Sequence, residues 1–112
     1  MKPRITVITL GVNNLETSLH FYREGLGFST EGIVGKEFEH GAVVFMELQP
    51  GLRLALWPRK SIAQDTGLVA GSASPTALTL GHNVSSRAEV DAVMATAKAA
   101  GAVIVKVAHD SF

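Results

Sequence analysis

Glu47 and Arg53 stand on either side of a Pro50-Gly51 turn, and Trp57, the sole tryptophan, follows four residues after Arg53. An acid and a guanidinium facing each other across a tight turn form a cross-strand ion pair, which contributes under ~1 kcal/mol when exposed. Set in a half-closed apolar surface, the same carboxylate could act as a general base or anchor a cationic ligand. Glu47 is therefore the one catalytic candidate, although no nucleophile and base pair stands beside it. Trp57 offers a flat face on which a planar or cationic ligand could stack, or it covers the edge of the core or a dimer contact.

The histidines are less suggestive. His20 falls opposite the apolar stripe of its helix and reads as a surface residue, and His40 lies beside Glu39 in a charged, solvated turn. His82 shares a strand face with Leu78, Leu80 and Val84, so its ring is expected to pack against the second helix with its nitrogens hydrogen bonded. His109, near the end of the sequence, gives no reading.

The elements that position these residues follow from periodicity. A β-branched run from Ile5 to Val12 predicts a strand, and Leu15, Leu19, Tyr22 and Leu26 recur on one face of a helix. Asn13 with Glu16 predicts the helix start, and Gly25 and Gly27 its end. A second strand is expected over 28–34 and a charged hairpin connection over 35–41. In a third strand, 42–48, Ala42, Val44, Met46 and Leu48 share one face, while Val43, Phe45 and Glu47 share the other. Past the turn, Leu52, Leu54 and Leu56 oppose Arg53, Ala55 and Trp57, and the leucine side is the one expected to pack on the helix. The stretch between Pro58 and Pro75 lacks a period and reads as a linker.

A second round follows: a strand over 76–84, a helix opened by the Ser86/Glu89 capping box with a Val90, Val93, Met94 and Ala97 stripe ending at Gly101, and a strand over 102–108. The words Thr9-Leu10-Gly11-Val12-Asn13 and Thr79-Leu80-Gly81-His82-Asn83 each close a strand before a capped helix, which reads as an internal duplication.

The wording Asn13-Asn14-Leu15-Glu16, Ser18-Leu19-His20-Phe21-Tyr22 and Leu26-Gly27-Phe28 resembles the vicinal oxygen chelate superfamily, which contains glyoxalase I, bleomycin-resistance proteins and extradiol dioxygenases. The likeness continues through Glu37 to Phe45, Leu54 to Pro58 and Thr79 to Val84, covering almost the whole chain. It implies an α+β fold in which paired β-α-β-β-β modules form a cup-shaped mixed sheet. One domain is expected: module one over 1–58, a linker over 59–75, and an incomplete module two over 76–112. Relatives continue through two further strands, so the second module is expected to be truncated, its last strand to present an unpaired edge, and the chain to self-associate or be of low stability.

In metal-dependent relatives, four His and Glu side chains project into the cup and hold a divalent ion that acts as Lewis acid. The resemblance places Val7, Ala55 and Thr79 at three of these positions, with the fourth beyond Phe112; no metal and no other cofactor is expected. The cup implied by the resemblance would be lined by Thr9, Phe45, Glu47, Arg53, Trp57 and Asn83, an apolar-aromatic surface with polar handles suited to a small molecule. The expected function is thus metal-free binding of a small-molecule ligand by a homodimer, in the manner of the bleomycin-resistance branch. The alternative is a glyoxalase-like lyase or dioxygenase whose metal site lies elsewhere, and the blandest reading is a non-functional remnant or structural subunit.

Composition narrows the partners. Ten basic and ten acidic residues cancel, with no basic stripe, so neither nucleic acid nor an anionic membrane surface is an expected partner. The chain has no cysteine, which excludes disulfide and thiolate chemistry and fits a reducing compartment. No apolar run approaches ~20 residues, and Met1-Lys2-Pro3-Arg4 leads into a strand rather than a signal-peptide core; the expected setting is cytoplasmic.

Overall fold

Alternation decides the first half of the molecule. In the structure, a computed structural model that describes residues 1–110, strand β1 (Val7–Val12) turns Ile8, Leu10 and Val12 inward and leaves Val7, Thr9 and Gly11 exposed. Helix α1 (Leu15–His20) follows, and its cap is Asn14, one residue later than the capping-box spacing predicts: Asn14 Oδ1 accepts from the Thr17 backbone N–H at 2.9 Å. Asn13 is engaged elsewhere, its Oδ1 accepting from Arg59 Nη1 at 3.1 Å. The helix then widens into a π-turn over Phe21–Gly25, closed by the Leu26 N–H bond to the Phe21 carbonyl at 2.9 Å. Gly27, at φ 80°, takes the left-handed conformation that ends the helix and sends the chain into β2.

Strands β2 (Thr30–Val34), β3 (Val43–Glu47) and β4 (Arg53–Pro58) complete a four-stranded mixed sheet of order β1-β4-β3-β2, in which only β1 and β4 run parallel. The parallel pair follows from topology: β4 returns beside β1 after the helix and two antiparallel strands have been laid down. One sheet face carries Val44, Met46, Leu54 and Leu56, all buried against Leu15 and Leu19 of α1, as the leucine pattern predicts. At roughly 1.5 to 3 kcal/mol per fully buried large apolar side chain, this face is the main source of stability in the unit.

Residues 59–66, read as linker from their composition, form helix α2 (Arg59–Thr66), stopped by Gly67 at φ 74°. The misreading has a physical cause: Ser61 is the residue the helix buries, so no apolar stripe marks its inner face. Gly11 makes the packing of α2 on β1 possible, because a Cβ there would lie 2.9 Å from Arg59 Cγ and 3.2 Å from Ile62 Cδ1.

The chain divides into two compact units, Met1–Ala70 and a second from Gly71 onward. In the second, helix α3 (Arg87–Ala99) starts as its capping box predicts, with the Ser86 side chain accepting from the Glu89 N–H at 3.2 Å, and its stop at Gly101 has φ 107°. The strands expected over 76–84 and 102–108 do not form among the described residues. Both segments carry strand-like sequence, but a strand exists only with a ladder partner, and neither finds one. Their apolar side chains are accordingly exposed, Leu78 and Leu80 at 51% each and Val105 at 93%. His82, expected to pack on a helix, is exposed as well. The apolar stripe of α3 has its predicted helical period but buries no residue.

Candidate functional site

The sheet face opposite the leucines is open, and it brings together five of the six lining residues expected from sequence. Register sets their order. Thr9, Ala55 and Phe45 form one row across β1, β4 and β3; Val7, Arg53 and Glu47 form the next; Gly11 lies beside Trp57 in a third. Asn83 belongs to the second unit, where it is exposed and outside any ladder.

Glu47 and Arg53 are cross-strand partners as predicted, yet they do not form an ion pair within 4.0 Å. The guanidinium instead lies over the Phe45 ring, with Cζ 4.4 Å from the centroid. Stacking keeps Arg53 half-buried while leaving its N–H groups without a protein acceptor among the described residues. A planar cation held on an aromatic face gains about 0.5 to 2 kcal/mol, comparable with or better than an exposed ion pair, and so the ring wins over the carboxylate.

A groove of about 390 Å³ opens beside this stack, lined by Phe45, Glu47 and Arg53 together with Ser29, Thr30, Glu31, Gly32 and Val34. The contribution of β2 comes from a bulge that sequence reading missed. Pairing jumps from Thr30↔Met46 to Ile33↔Val44, so Glu31 and Gly32 occupy a length that one residue would otherwise fill. Thr30 Oγ1 donates to the Phe45 carbonyl at 2.6 Å and accepts from the Gly32 N–H at 3.1 Å, which fixes the bulge, and Gly32 supplies φ 89°. Glu31, next after the core-side pair Thr30↔Met46, falls on the open face and lines the same groove as Glu47, while the bulge returns Ile33 to the core side opposite Val44. A glycine inside a β-branched run was the signal that could have revealed it.

The edge of the Trp57 indole is engaged in a hydrogen bond. Nε1–H donates to the His40 carbonyl at 3.0 Å, and His40 holds φ 54°, the one left-handed non-glycine residue among those described. His40 itself sits 3.8 Å from Glu39 in the exposed turn, while His20 lies 3.6 Å from Glu24 on the outer side of the helix.

The metal-ligand positions implied by the family resemblance do not fit a divalent ion here. Val7 and Ala55 sit on the open face but carry no donor atom, and Thr79 is exposed in the second unit. No group of three or more His, Cys, Asp or Glu side chains is close enough to hold a metal ion among the described residues. Among those residues, too, no helix is long and apolar enough to cross a membrane.

Comparison with solved structures places this architecture among known proteins. A glyoxalase-related enzyme from Fulvimarina pelagi is 32% identical with a TM-score of 0.71, covering 88% of this chain and 66% of its own. A glyoxalase/bleomycin resistance protein/dioxygenase from Nocardioides is 28% identical with a TM-score of 0.72, covering 99% of this chain and 70% of its own. A hypothetical protein from S. aureus, 22% identical with a TM-score of 0.76, shares the fold over 99% of this chain and 79% of its own. A search of curated proteins finds no match. The family model described as Glyoxalase/Bleomycin resistance protein/Dioxygenase superfamily matches residues 4–112. With its β-α-β-β-β sheet and that match over nearly its full length, the chain belongs to the glyoxalase/bleomycin resistance protein/dioxygenase superfamily.

Proposed function

We propose that this chain is a metal-independent small-molecule-binding member of its superfamily, with the ligand held on the open face of the four-stranded sheet. The observation that carries the reading is the groove beside the Arg53–Phe45 stack, where a guanidinium is desolvated on one face and unpaired on its edges. Thr9, Phe45, Glu47, Arg53 and Trp57 are assigned to this face; Asn83, the sixth residue expected from the resemblance, belongs to the second unit and is left out of the assignment. No histidine lines the groove to activate its Ser29 or Thr30 hydroxyl, and Thr30 Oγ1 is committed to the Phe45 carbonyl, which favours retention of the ligand over its transformation. The donorless side chains of Val7 and Ala55 support binding without a divalent ion.

We assign the functional form to a cytoplasmic homodimer. Exposed Leu78, Leu80, Val103, Val105 and Val107 in the second unit support self-association, because a surface this apolar is stabilised by cover. The absence of cysteine fits a reducing compartment.

The glyoxalase-related enzyme from Fulvimarina pelagi favours a second reading, a metal-dependent lyase or dioxygenase whose ion is held away from the usual family positions. Native mass spectrometry with and without added Ni, Zn and Mn salts separates the two. A metal-free dimer under all conditions supports the binding protein; a stoichiometric retained ion overturns it in favour of the enzyme.

A further inference from the structure

The groove on the first unit has two electrostatic poles rather than one. Arg53 is one: its guanidinium rests on Phe45 at 4.4 Å, has no carboxylate within 4.0 Å among the described residues, and the residue lines the cavity. A guanidinium so placed has already given up part of its hydration and lost rotamer freedom to the ring. Its fork of N–H donors therefore meets a planar carboxylate with less left to lose. Glu47 and Glu31 are the other pole. They come to the same cavity from β3 and from the β2 bulge, and neither is paired with a cation within 4.0 Å among the described residues.

An anion alone would gain from Arg53 and lose to the two glutamates; a cation alone would meet the reverse. Only a ligand carrying both charges gains at both poles. The groove is open to solvent, and its volume of about 390 Å³, roughly 13 water volumes at ~30 Å³ each, suits a small molecule without enclosing it. Phe45, beneath the guanidinium, and Val34 supply the apolar part of the lining.

We infer that the groove selects small zwitterions of the α-amino acid type, the ligand carboxylate on Arg53 and its ammonium on Glu47 and Glu31. This rests on the binding reading above and names its ligand class. It uses the first unit alone and needs no metal, no second protomer and no covalent step.

The test is an amide-resolved NMR titration of the full chain with L-phenylalanine, L-phenylalaninamide and N-acetyl-L-phenylalanine, following the Gly32, Glu47 and Arg53 backbone signals. The expected result is that L-phenylalanine binds at least tenfold more tightly than either singly charged derivative. Arg53→Gln is expected to weaken L-phenylalanine and the N-acetyl derivative tenfold while sparing the amide, and Glu47→Gln to weaken L-phenylalanine and the amide while sparing the N-acetyl derivative. The wild-type panel reads the charge preference without relying on either variant to fold. If the singly charged derivatives bind the groove as well as L-phenylalanine, the zwitterion inference is overturned and the small-molecule reading stands. If none of the three, nor a wider panel of uncharged aromatic compounds, shifts these signals, both fall.

Discussion

The indole N–H of Trp57 is bonded to the backbone carbonyl of His40, a residue in the left-handed region, so the end of β4 fastens the turn between β2 and β3. One hydrogen bond thus holds a conformation that a branched or bulky residue adopts only at a cost of about 1 to 2 kcal/mol.

Replacing Trp57 with Phe keeps the ring and removes the donor. The expected loss is about 1 kcal/mol in chemical denaturation, with the amide signals of the 35–41 turn shifting while those of α1 stay in place. His40→Gly is expected to be neutral or mildly stabilising, whereas His40→Val should destabilise by at least about 1 kcal/mol. Equal stability for the two variants would show that the left-handed conformation carries no cost.

Gly11 and Gly81 occupy matching places in the two Thr-Leu-Gly words, but only Gly11 faces a neighbour. A Cβ at Gly11 meets Arg59 Cγ and Ile62 Cδ1, while one at Gly81 meets nothing within 4 Å. Gly11→Ala is expected to cost about 1 to 2 kcal/mol, and Gly81→Ala to be neutral or to stabilise by up to about 1 kcal/mol through the unfolded chain. Thermal unfolding of the two single variants reads the difference directly.

The helix start offers a sharper comparison. Asn14→Ala removes the acceptor for the Thr17 N–H and is expected to cost about 1 kcal/mol. Asn13→Ala removes an exposed contact with Arg59 and is expected to cost less than half as much. A larger loss at Asn13 would return the cap to the residue that the Asn13/Glu16 spacing suggests.

That one-residue shift illustrates which parts of this molecule are legible in its sequence. Strict alternation in 42–48 and 52–57 announces both strands and their faces, because the large apolar side chains share one face, the small Ala55 being the buried residue of the other, and a one-residue slip would expose Met46 or Leu54. Helix α2 is hidden because its buried residue is a serine. The groove is only partly legible: Phe45, Glu47 and Arg53 follow from alternation in β3 and β4, whereas β2 contributes through a strand whose alternation is interrupted by the bulge at Glu31 and Gly32. In the second unit the words for two strands are present, but a strand is a property of a pair, and a sequence cannot by itself supply the partner.

Two titrating groups lie within the π-turn and shift in opposite directions. The Arg23 side-chain hydrogen bond holds the Glu24 carboxyl below its ordinary value of 4.5, with smaller lowering from the charge of Arg23, its own backbone and His20. Its folded-state pKa is depressed, so its contribution is present above the unfolded value and is lost as pH falls through the folded one. Burial raises Tyr22 above 10.0, so stability is expected to fall as pH rises past about 10, where the unfolded phenol ionises first. Carboxyl-detected NMR is expected to place the Glu24 midpoint below 4.5, and Arg23→Gln to raise it toward that value. Tyr22→Phe should flatten the alkaline limb of a stability profile.

Packing supplies the largest expected effect. Leu56 is fully buried between α1 and the sheet, and Leu56→Ala is expected to cost about 2 to 5 kcal/mol. Circular dichroism at increasing urea should show the midpoint drop with the slope unchanged.

The bulge at Glu31 and Gly32 bears on more than the groove. It lies in β2, one of the two outer strands, and twists that margin away from regular pairing. The opposite margin, β1, is straight. Among the described residues this sheet has one blunted side and one regular side, so strand-to-strand addition of a second copy at β1 would leave the sheet no regular edge for a third. The geometry that shapes the groove also makes such association self-limiting, a guard against fibrous growth.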